Sequence, residues 1–284
     1  MGIIEYAVLG IIQGLTEFIP VSSSAHLDII PKMLGWNNPS TVFDTFLHLG
    51  TLIALLIFYR GKIKKYFVST FKSVFKKSKQ TEEDRKNIKI ILLILSASIP
   101  ALVTGLVYNQ FISDFYDSAE NDHVTNILIL SSMFLLGCIF IIYPKFLKKK
   151  KVDLYKFTIL KSFLTGVFQI FAFFRGISRS GITIISAQFL GLKRVDAAEF
   201  SFLMSIPVIS ATSLYSVYKI LSSNEITQTQ EELTYYVIGM VCALLSGIFA
   251  IKFLLSFLSK YSLALFGYYR IVFAIICFLI LTST

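Results

Sequence analysis

The stretch GIIQGLTEFIPVSSSAHLDII, residues 10–30, places a serine-rich polar cluster in the middle of an apolar segment. A second such interruption, GISRSG at residues 176–181, lies inside the apolar stretch 157–190. A helix that simply crosses the bilayer needs about 20 predominantly apolar residues without such a break. We therefore expect residues 3–30 and 157–190 to form two re-entrant helical hairpins, which enter the membrane and return to the side they came from.

The rest of the chain contains six continuous apolar runs, in keeping with a sequence of 284 residues of which 55% are hydrophobic. We predict membrane spans at 42–59, 88–108, 124–143, 197–220, 233–258 and 262–281. The fold class predicted is an all-α polytopic membrane protein. Residues 1–284 form one membrane domain with six transmembrane helices and two re-entrant helical hairpins.

Charged residues assign a side of the membrane to each connection. Segments 60–89 and 144–161 are rich in lysine and arginine and are predicted to be cytoplasmic, whereas 109–123 and 221–232 carry acidic residues only and are predicted to be external. Topology thus explains the net charge of +10, and no nucleic-acid partner is expected. Cys138, Cys242 and Cys277 each stand alone in an apolar run and are expected to be packing residues.

The two hairpins belong to an internal repeat. Shifting the sequence by 156 residues aligns eleven identical residues between positions 10 and 53, where about three or four are expected by chance. Repeat one, residues 1–150, and repeat two, residues 151–284, each contain one hairpin and three spans. Because three is odd, the second repeat starts on the opposite face of the membrane, an inverted topology. The polar tips of the hairpins are then expected to meet near the bilayer midplane.

The first hairpin offers a carboxylate, an amide and hydroxyls. Gln13 and Glu17 are four residues apart on a predicted helix and share a face. Pro20 should end that helix, and a serine after it can cap the next one, whose free N–H groups attract anions. A carboxylate at membrane depth is a functional candidate, with structural pairing to a basic residue as the alternative. His26, four residues after Ser22, is a candidate base, with a packed histidine as the alternative.

The second hairpin adds basic residues and glycines. Arg175 and Arg179 need anionic partners at this depth, and a guanidinium fork suits a phosphate. An internal pair with Glu17 is the alternative. Gly176 lets a ligand approach the backbone. The two tips also contribute the hydroxyls of Ser22, Ser23, Ser24, Ser178 and Ser180.

This set of groups is typical of phosphoryl transfer. It would combine a divalent cation, Mg²⁺ or Ca²⁺, bound to Glu17 with an arginine that stabilises the negative charge of the transition state. It would also place a hydroxyl, as nucleophile, beside a base. A carrier that moves a lipid phosphate across the membrane is the alternative, since an inverted repeat suits it equally well. The residues favour the enzyme, because a carrier has no obvious need for a nucleophile beside a base.

At these residues the chain resembles the undecaprenyl pyrophosphate phosphatase family of bacterial membrane enzymes, which is linked to bacitracin resistance. QGLTEFIPVSSSAH at 13–26 is similar to the family's (E/Q)xxxE segment with its Pro-x-Ser-Ser-x-x-His continuation, and GISRSG at 176–181 to its PGxSRSG motif. EFSFL at 199–203 and YYR at 268–270 also resemble family segments, so the resemblance covers nearly the whole length.

The resemblance implies a plasma-membrane enzyme that releases inorganic phosphate from undecaprenyl pyrophosphate and so regenerates the lipid carrier for peptidoglycan. The polyprenyl tail would stay among the membrane lipids while the head enters a site open to the external face. In the first motif, Gln13 and Glu17 fall on metal-associated positions, Ser23 on the proposed nucleophile and His26 on its base. Attack by water stays open beside attack by Ser23, and the number of copies is left open, a homodimer included.

In the second motif, Ser178 and Arg179 fall on the family's phosphate-binding pair. The chain departs from the family at two site positions. Gln13 stands where many relatives have Glu, which leaves less charge to hold a metal. Arg175 stands where the family has Pro, which changes the turn and adds a second candidate phosphate contact.

Overall fold

The computed structural model of the chain describes residues 2–37, 40–75, 80–111, 122–147, 151–222 and 230–283. Within these ranges the chain forms ten α-helices. Those of repeat one are α1 (Ile3–Phe18), α2 (Ser23–Leu34), α3 (Thr41–Phe75), α4 (Glu82–Phe111) and α5 (Asp122–Ile142). Those of repeat two are α6 (Ile159–Gln169), α7 (Arg179–Phe189), α8 (Arg194–Ser222), α9 (Gln230–Lys260) and α10 (Ala264–Ser283). Residues 112–121 and 223–229 of the predicted external segments, and 76–79 and 148–150 of the predicted cytoplasmic ones, lie outside the described residues.

Six of the helices, α3, α4, α5, α8, α9 and α10, are long and apolar enough to cross a membrane. Each overlaps one of the six predicted spans, and α3 continues to Phe75, beyond the predicted end at residue 59. The all-α polytopic fold is confirmed. The other four helices, α1, α2, α6 and α7, have 16, 12, 11 and 11 residues. At about 1.5 Å per residue they are too short to cross roughly 30 Å of hydrocarbon. They pair as α1–α2 and α6–α7, in the two segments where hairpins are predicted.

The repeat is visible in how the second helix of each hairpin begins and ends. Ser22 caps α2 and Ser178 caps α7, each accepting a hydrogen bond from the backbone N–H three residues further on. Gly35 follows α2 with φ 67°, and Gly191 follows α7 with φ 115°. All four residues are among the identities of the sequence repeat, which shows that those identities mark equivalent backbone geometry.

The repeats are interlocked through the first helix of each hairpin. Helix α1 packs along α9 of the other repeat, and α6 packs in the equivalent way along α4. A Cβ on Gly14 would lie 2.0 Å from Ser246 Oγ and 2.3 Å from Ala243 O, and one on Gly166 would lie 2.1 Å from Ala97 O. Only glycine allows the helices to approach so closely, as small residues do between helices in membranes.

This reciprocal packing brings the two hairpin tips together. The backbone N–H of Gly176 donates to Ser24 Oγ at 3.4 Å, and the side chain of Arg175 lies 3.5 Å from the carboxylate of Asp28. The contacts are those expected of one domain built from two interlocked repeats. The opposite orientation of the repeats in the membrane stays a prediction.

Candidate active site

Glu17 is the centre of a polar cluster that joins the two hairpins. Its Oε1 accepts a hydrogen bond from Arg179 Nη2 at 2.6 Å, and its Oε2 accepts from Ser23 Oγ at 2.9 Å and from Gln13 Nε2 at 3.2 Å. The Glu17 side chain is 9% exposed and that of Arg179 is 17% exposed. Each ion compensates the burial of the other, and the two neutral donors occupy two further acceptor positions of the carboxylate.

Local backbone structure places these groups at the tips. Helix α1 ends at Phe18, just before Pro20, and its last turns carry Gln13 and Glu17 on the buried face. Helix α2 begins at Ser23 and helix α7 begins at Arg179. The candidate nucleophile and the candidate phosphate-binding arginine therefore both occupy the first position of a helix, where unpaired N–H groups favour an anion.

A cavity of about 180 Å³ lies between the tips. Both hairpins and α3 contribute to its walls, so neither repeat forms the cavity alone. Its lining residues are Thr16, Glu17, Ser22, Ser23, Ser24, His48, Ala172, Ile177, Ser178 and Arg179. A terminal phosphate with its anionic oxygens would there meet hydroxyls, a guanidinium and two helix N-termini.

The predicted serines lie at or beside this cavity. Ser22 Oγ and Ser24 Oγ are 3.2 Å apart, and Ser178 Oγ and Ser180 Oγ are 3.1 Å apart, the same arrangement in both repeats. Ser180 is buried and is not among the lining residues. The structure thus brings together the predicted hydroxyls of both motifs, with Ser23 the one bonded to Glu17.

His26 is placed differently from the prediction. Its Nδ1 lies 2.7 Å from the carbonyl oxygen of Ser22, and its Nε2 lies 2.8 Å from the hydroxyl of Tyr269. The ring is 2% exposed, stacks on Phe273 and does not line the cavity. With both ring nitrogens occupied, the structure does not bring the predicted base to Ser23. The packed histidine weighed as the alternative matches this arrangement.

Four lining residues were missed from the sequence, the polar Thr16 and His48 and the apolar Ala172 and Ile177. His48 lies on α3, and its Nδ1 lies 2.9 Å from the carbonyl oxygen of Asp44 one turn earlier. The available signal was an ionisable side chain within a predicted span, which is by itself a functional candidate. Only the packing of α3 against the hairpins shows that His48 faces the same cavity as Glu17.

The two arginines of the second hairpin have different surroundings. Arg179 is enclosed, and its Nη1 is buried without a hydrogen-bond partner in the part of the chain that the structure describes. Arg175 is 46% exposed, lies 3.5 Å from Asp28 of the first hairpin and does not line the cavity. Half of the Arg179 fork is therefore held by Glu17, and the other half has no hydrogen-bond partner among the described residues.

The oxygen atoms at Glu17 fit a divalent cation shared with a substrate. Gln13 Oε1 is buried without a hydrogen-bond partner among the described residues, and it belongs to the amide that contacts Glu17. Gln13 itself is not among the residues that line the cavity. Across those residues no group of three or more His, Cys, Asp and Glu side chains forms a metal cluster. One carboxylate and one amide oxygen suit an ion such as Mg²⁺, which takes its remaining ligands from phosphate and water.

Comparison with known proteins identifies one family. The model of the family described as bacitracin resistance protein BacA matches residues 6–276. The undecaprenyl-diphosphatase of Thermodesulfovibrio yellowstonii is 36% identical over 276 residues, which cover 96% of this chain and 95% of the relative. The undecaprenyl-diphosphatase of Caldicellulosiruptor bescii is 36% identical over 262 residues, covering 92% and 91%. That of Prochlorococcus marinus strain NATL2A is 37% identical over 267 residues, covering 94% and 92%.

Proposed function

The chain belongs to the family of the bacitracin resistance protein BacA, and we propose that its reaction, release of phosphate from undecaprenyl pyrophosphate, takes place in the cavity between the two hairpins. One observation carries this proposal. A carboxylate, a hydroxyl and a half-occupied guanidinium, from Glu17, Ser23 and Arg179, converge there from both repeats. These are the groups that activate a nucleophile and stabilise a phosphoryl group in transfer.

The reaction is that of an undecaprenyl-diphosphatase, the name the relatives carry. Hydrolysis of the terminal phosphate leaves undecaprenyl phosphate, the lipid carrier used again for cell-wall synthesis. Consuming the pyrophosphate form of the lipid accounts for the link of the family to bacitracin resistance. The comparisons do not favour the alternative of a carrier, because the relatives over nearly the whole chain carry the name of a hydrolase.

The proposed chemistry begins at Ser23. Its Oγ donates to Glu17 Oε2, so Glu17 is the group placed to accept the proton as an oxygen attacks the terminal phosphorus. The new P–O bond forms as the P–O–P bridge breaks, and the lipid monophosphate leaves with the bonding electrons. Arg179 Nη1 stabilises the equatorial oxygens. If Ser23 Oγ attacks, the phosphoserine ester that forms is then hydrolysed by water, which releases inorganic phosphate and restores the hydroxyl. If a water bound beside Ser23 attacks, inorganic phosphate leaves in one step, and both routes use the same residues.

We include a divalent cation, Mg²⁺ or Ca²⁺, in the proposal. Glu17 and Gln13 Oε1 would hold it together with oxygens of the pyrophosphate. When bound it would neutralise part of the charge of the pyrophosphate. Its effect is separable from that of Arg179, because a chelator removes the ion and leaves the guanidinium in place.

The proposed reaction is tested with the purified protein in detergent and undecaprenyl pyrophosphate as substrate. Detergent micelles have no second compartment, so a carrier alone would release nothing. We expect inorganic phosphate and undecaprenyl phosphate in equal amounts, with turnover over many cycles. Substrate that stays intact in detergent, together with movement of lipid phosphate across vesicles that contain the protein, would establish the carrier instead.

We place the enzyme in the plasma membrane with its cavity open to the external face, on the distribution of basic and acidic connections. Single cysteines at Lys72 and Glu231, in a background without Cys138, Cys242 and Cys277, test this orientation. An impermeant thiol reagent should label Glu231→Cys in intact cells, and Lys72→Cys only after the membrane is permeabilised. Labelling of Lys72→Cys in intact cells would reverse the orientation.

A further inference from the structure

Each hairpin turn contains a residue with a left-handed backbone shortly before the helix that enters the site, one position before it in the first hairpin and three positions before it in the second. Ser22 has φ 77° and is the only residue other than glycine with positive φ in the described part of the chain. Gly176 has φ 89°, and a Cβ there would lie 2.4 Å from Ile129 O. Such a conformation is unfavourable for a residue with a side chain, and it persists only where neighbouring groups hold it.

Helix α10 holds the turn of the first hairpin through His26. A carbonyl oxygen only accepts hydrogen bonds, so His26 Nδ1 donates to Ser22 O at 2.7 Å. The remaining ring nitrogen, Nε2, is 2.8 Å from the Tyr269 hydroxyl, which donates to it in the neutral ring. The His26 ring packs against both Tyr269 and Phe273, with ring centroids 5.8 Å and 4.4 Å away. Its position is therefore fixed by contacts with α10.

The turn of the second hairpin is held by Arg270, the residue that follows Tyr269 on α10. Arg270 Nη2 donates to Gly176 O at 2.8 Å, and Arg270 Nε donates to Met133 O at 3.2 Å. The side chain is 0% exposed, and its guanidinium lies over the Phe140 ring at 5.5 Å. A fully buried guanidinium is costly within a membrane protein. Two backbone carbonyls and an aromatic face offset part of that cost, while Arg270 Nη1 is buried without a hydrogen-bond partner among the described residues.

We infer that Tyr269 and Arg270 are positioning residues, which tie the turns of both hairpins to one turn of α10 and so set the distance between the two halves of the site. Neither residue lines the cavity. Tyr269 acts through His26 on the carbonyl of the left-handed Ser22, one position before the first residue of α2. Arg270 acts on the carbonyl of the left-handed Gly176, three positions before the first residue of α7. The N-termini of both helices face the cavity. This inference rests on the proposed function of the cavity, and it makes His26 a link to Ser22.

The geometry explains why two neighbouring residues suffice. Ser22 O fixes the peptide that leads into Ser23, the residue bonded to Glu17. Gly176 O fixes the turn whose N–H donates to Ser24 of the other hairpin. Movement of either turn would lengthen the contacts that join the hairpins, and a misplacement of about 1 Å is enough to slow an enzymatic reaction about 10²-fold.

The test compares Tyr269→Phe with the matched control Tyr268→Phe in the detergent assay. Both variants lose one hydroxyl from the same helix, and both residues are exposed, Tyr268 by 57% and Tyr269 by 45%, but the Tyr269 hydroxyl is the one that lies 2.8 Å from His26 Nε2. We expect Tyr269→Phe to lower kcat per folded molecule about tenfold with KM changed less than about twofold, the scale of one lost hydrogen bond at a positioned group. Tyr268→Phe should match the wild-type protein. Circular dichroism and size-exclusion chromatography give the folded fraction.

A second arm asks whether Tyr269 acts through His26. His26→Phe keeps an aromatic ring against Phe273 and removes both nitrogens. In the His26→Phe background, adding Tyr269→Phe should lower kcat by less than about a further twofold, because the hydrogen bond between Tyr269 and His26 is already lost. Arg270→Lys, which keeps the charge but not the planar fork, should lower kcat while KM stays near the wild-type value.

Three results would overturn the inference. Tyr269→Phe could keep the wild-type kcat per folded molecule, its effect could add fully to that of His26→Phe, or it could lower only the folded fraction. Each leaves the proposed function intact if Glu17→Gln is inactive in the same assay. Failure of the proposed function looks different, because the wild-type protein and Tyr268→Phe would then release no phosphate.

Discussion

Replacing Arg179 with lysine is expected to lower kcat by about 10² or more, the scale of losing one group that stabilises charge in the transition state. Arg179 Nη2 is 2.6 Å from Glu17 Oε1, and Nη1 is buried without a partner among the described residues. The planar fork can therefore hold the carboxylate and a phosphate oxygen at once. The single ammonium of lysine keeps the charge but not that geometry. Steady-state kinetics of phosphate release measure the loss.

Arg175→Pro is the matched control for that prediction. Arg175 belongs to the same turn, but it is 46% exposed, lies 3.5 Å from Asp28 and does not line the cavity. Proline is also the residue to which the resemblance points at this position. We expect Arg175→Pro to keep most of the activity. If Arg179→Lys kept the turnover of the wild-type protein while Arg175→Pro were inactive, the phosphate contact would belong to Arg175.

Glu17→Gln is expected to reduce turnover by about 10² or more. The turnover that remains should no longer be sensitive to EDTA. The amide keeps the volume of the side chain but removes the charge that Arg179 and Ser23 contact. The measurement is the initial rate of phosphate release against added Mg²⁺ and against EDTA. Size-exclusion chromatography and thermal unfolding show whether the variant is folded.

Gln13→Glu is the companion variant at the neighbouring position. It restores the acidic residue that many relatives have, and its carboxylate would lie beside Glu17, to which Gln13 Nε2 now donates at 3.2 Å. We expect it to be tolerated and to lower the Mg²⁺ concentration needed for half-maximal rate. Near-normal turnover in Glu17→Gln would instead show that the Glu17–Arg179 pair is structural.

The sequence was sufficient for the fold because its signals are local. The length of an apolar run decides whether a helix can span the membrane, and a polar interruption decides where it cannot. The caps Ser22 and Ser178 and the left-handed Gly35 and Gly191 show equivalent backbone geometry at positions that the internal repeat aligns. None of these features depends on a partner distant in the sequence.

For the site, the sequence could predict which side chains take part but not how they contact one another, because those contacts join residues far apart in the chain. The partner of His26 is 243 residues away and that of Glu17 is 162 residues away. Spacing along α2 favoured His26 as the base of Ser23, but the buried ring is held by Ser22 and Tyr269. His48 and Arg270 were missed for the same reason, since packing of separate helices places them.

The central claim is that one catalytic site is assembled from both hairpins. A double-mutant cycle between Glu17 and Arg179 tests it most directly, through kcat/KM of phosphate release in detergent for the wild-type protein, Glu17→Gln, Arg179→Lys and the double variant. Residues that work as one unit are strongly non-additive, so we predict a double variant within about threefold of the worse single variant. Losses that multiply, or single variants that keep near-normal kcat/KM, would contradict the claim.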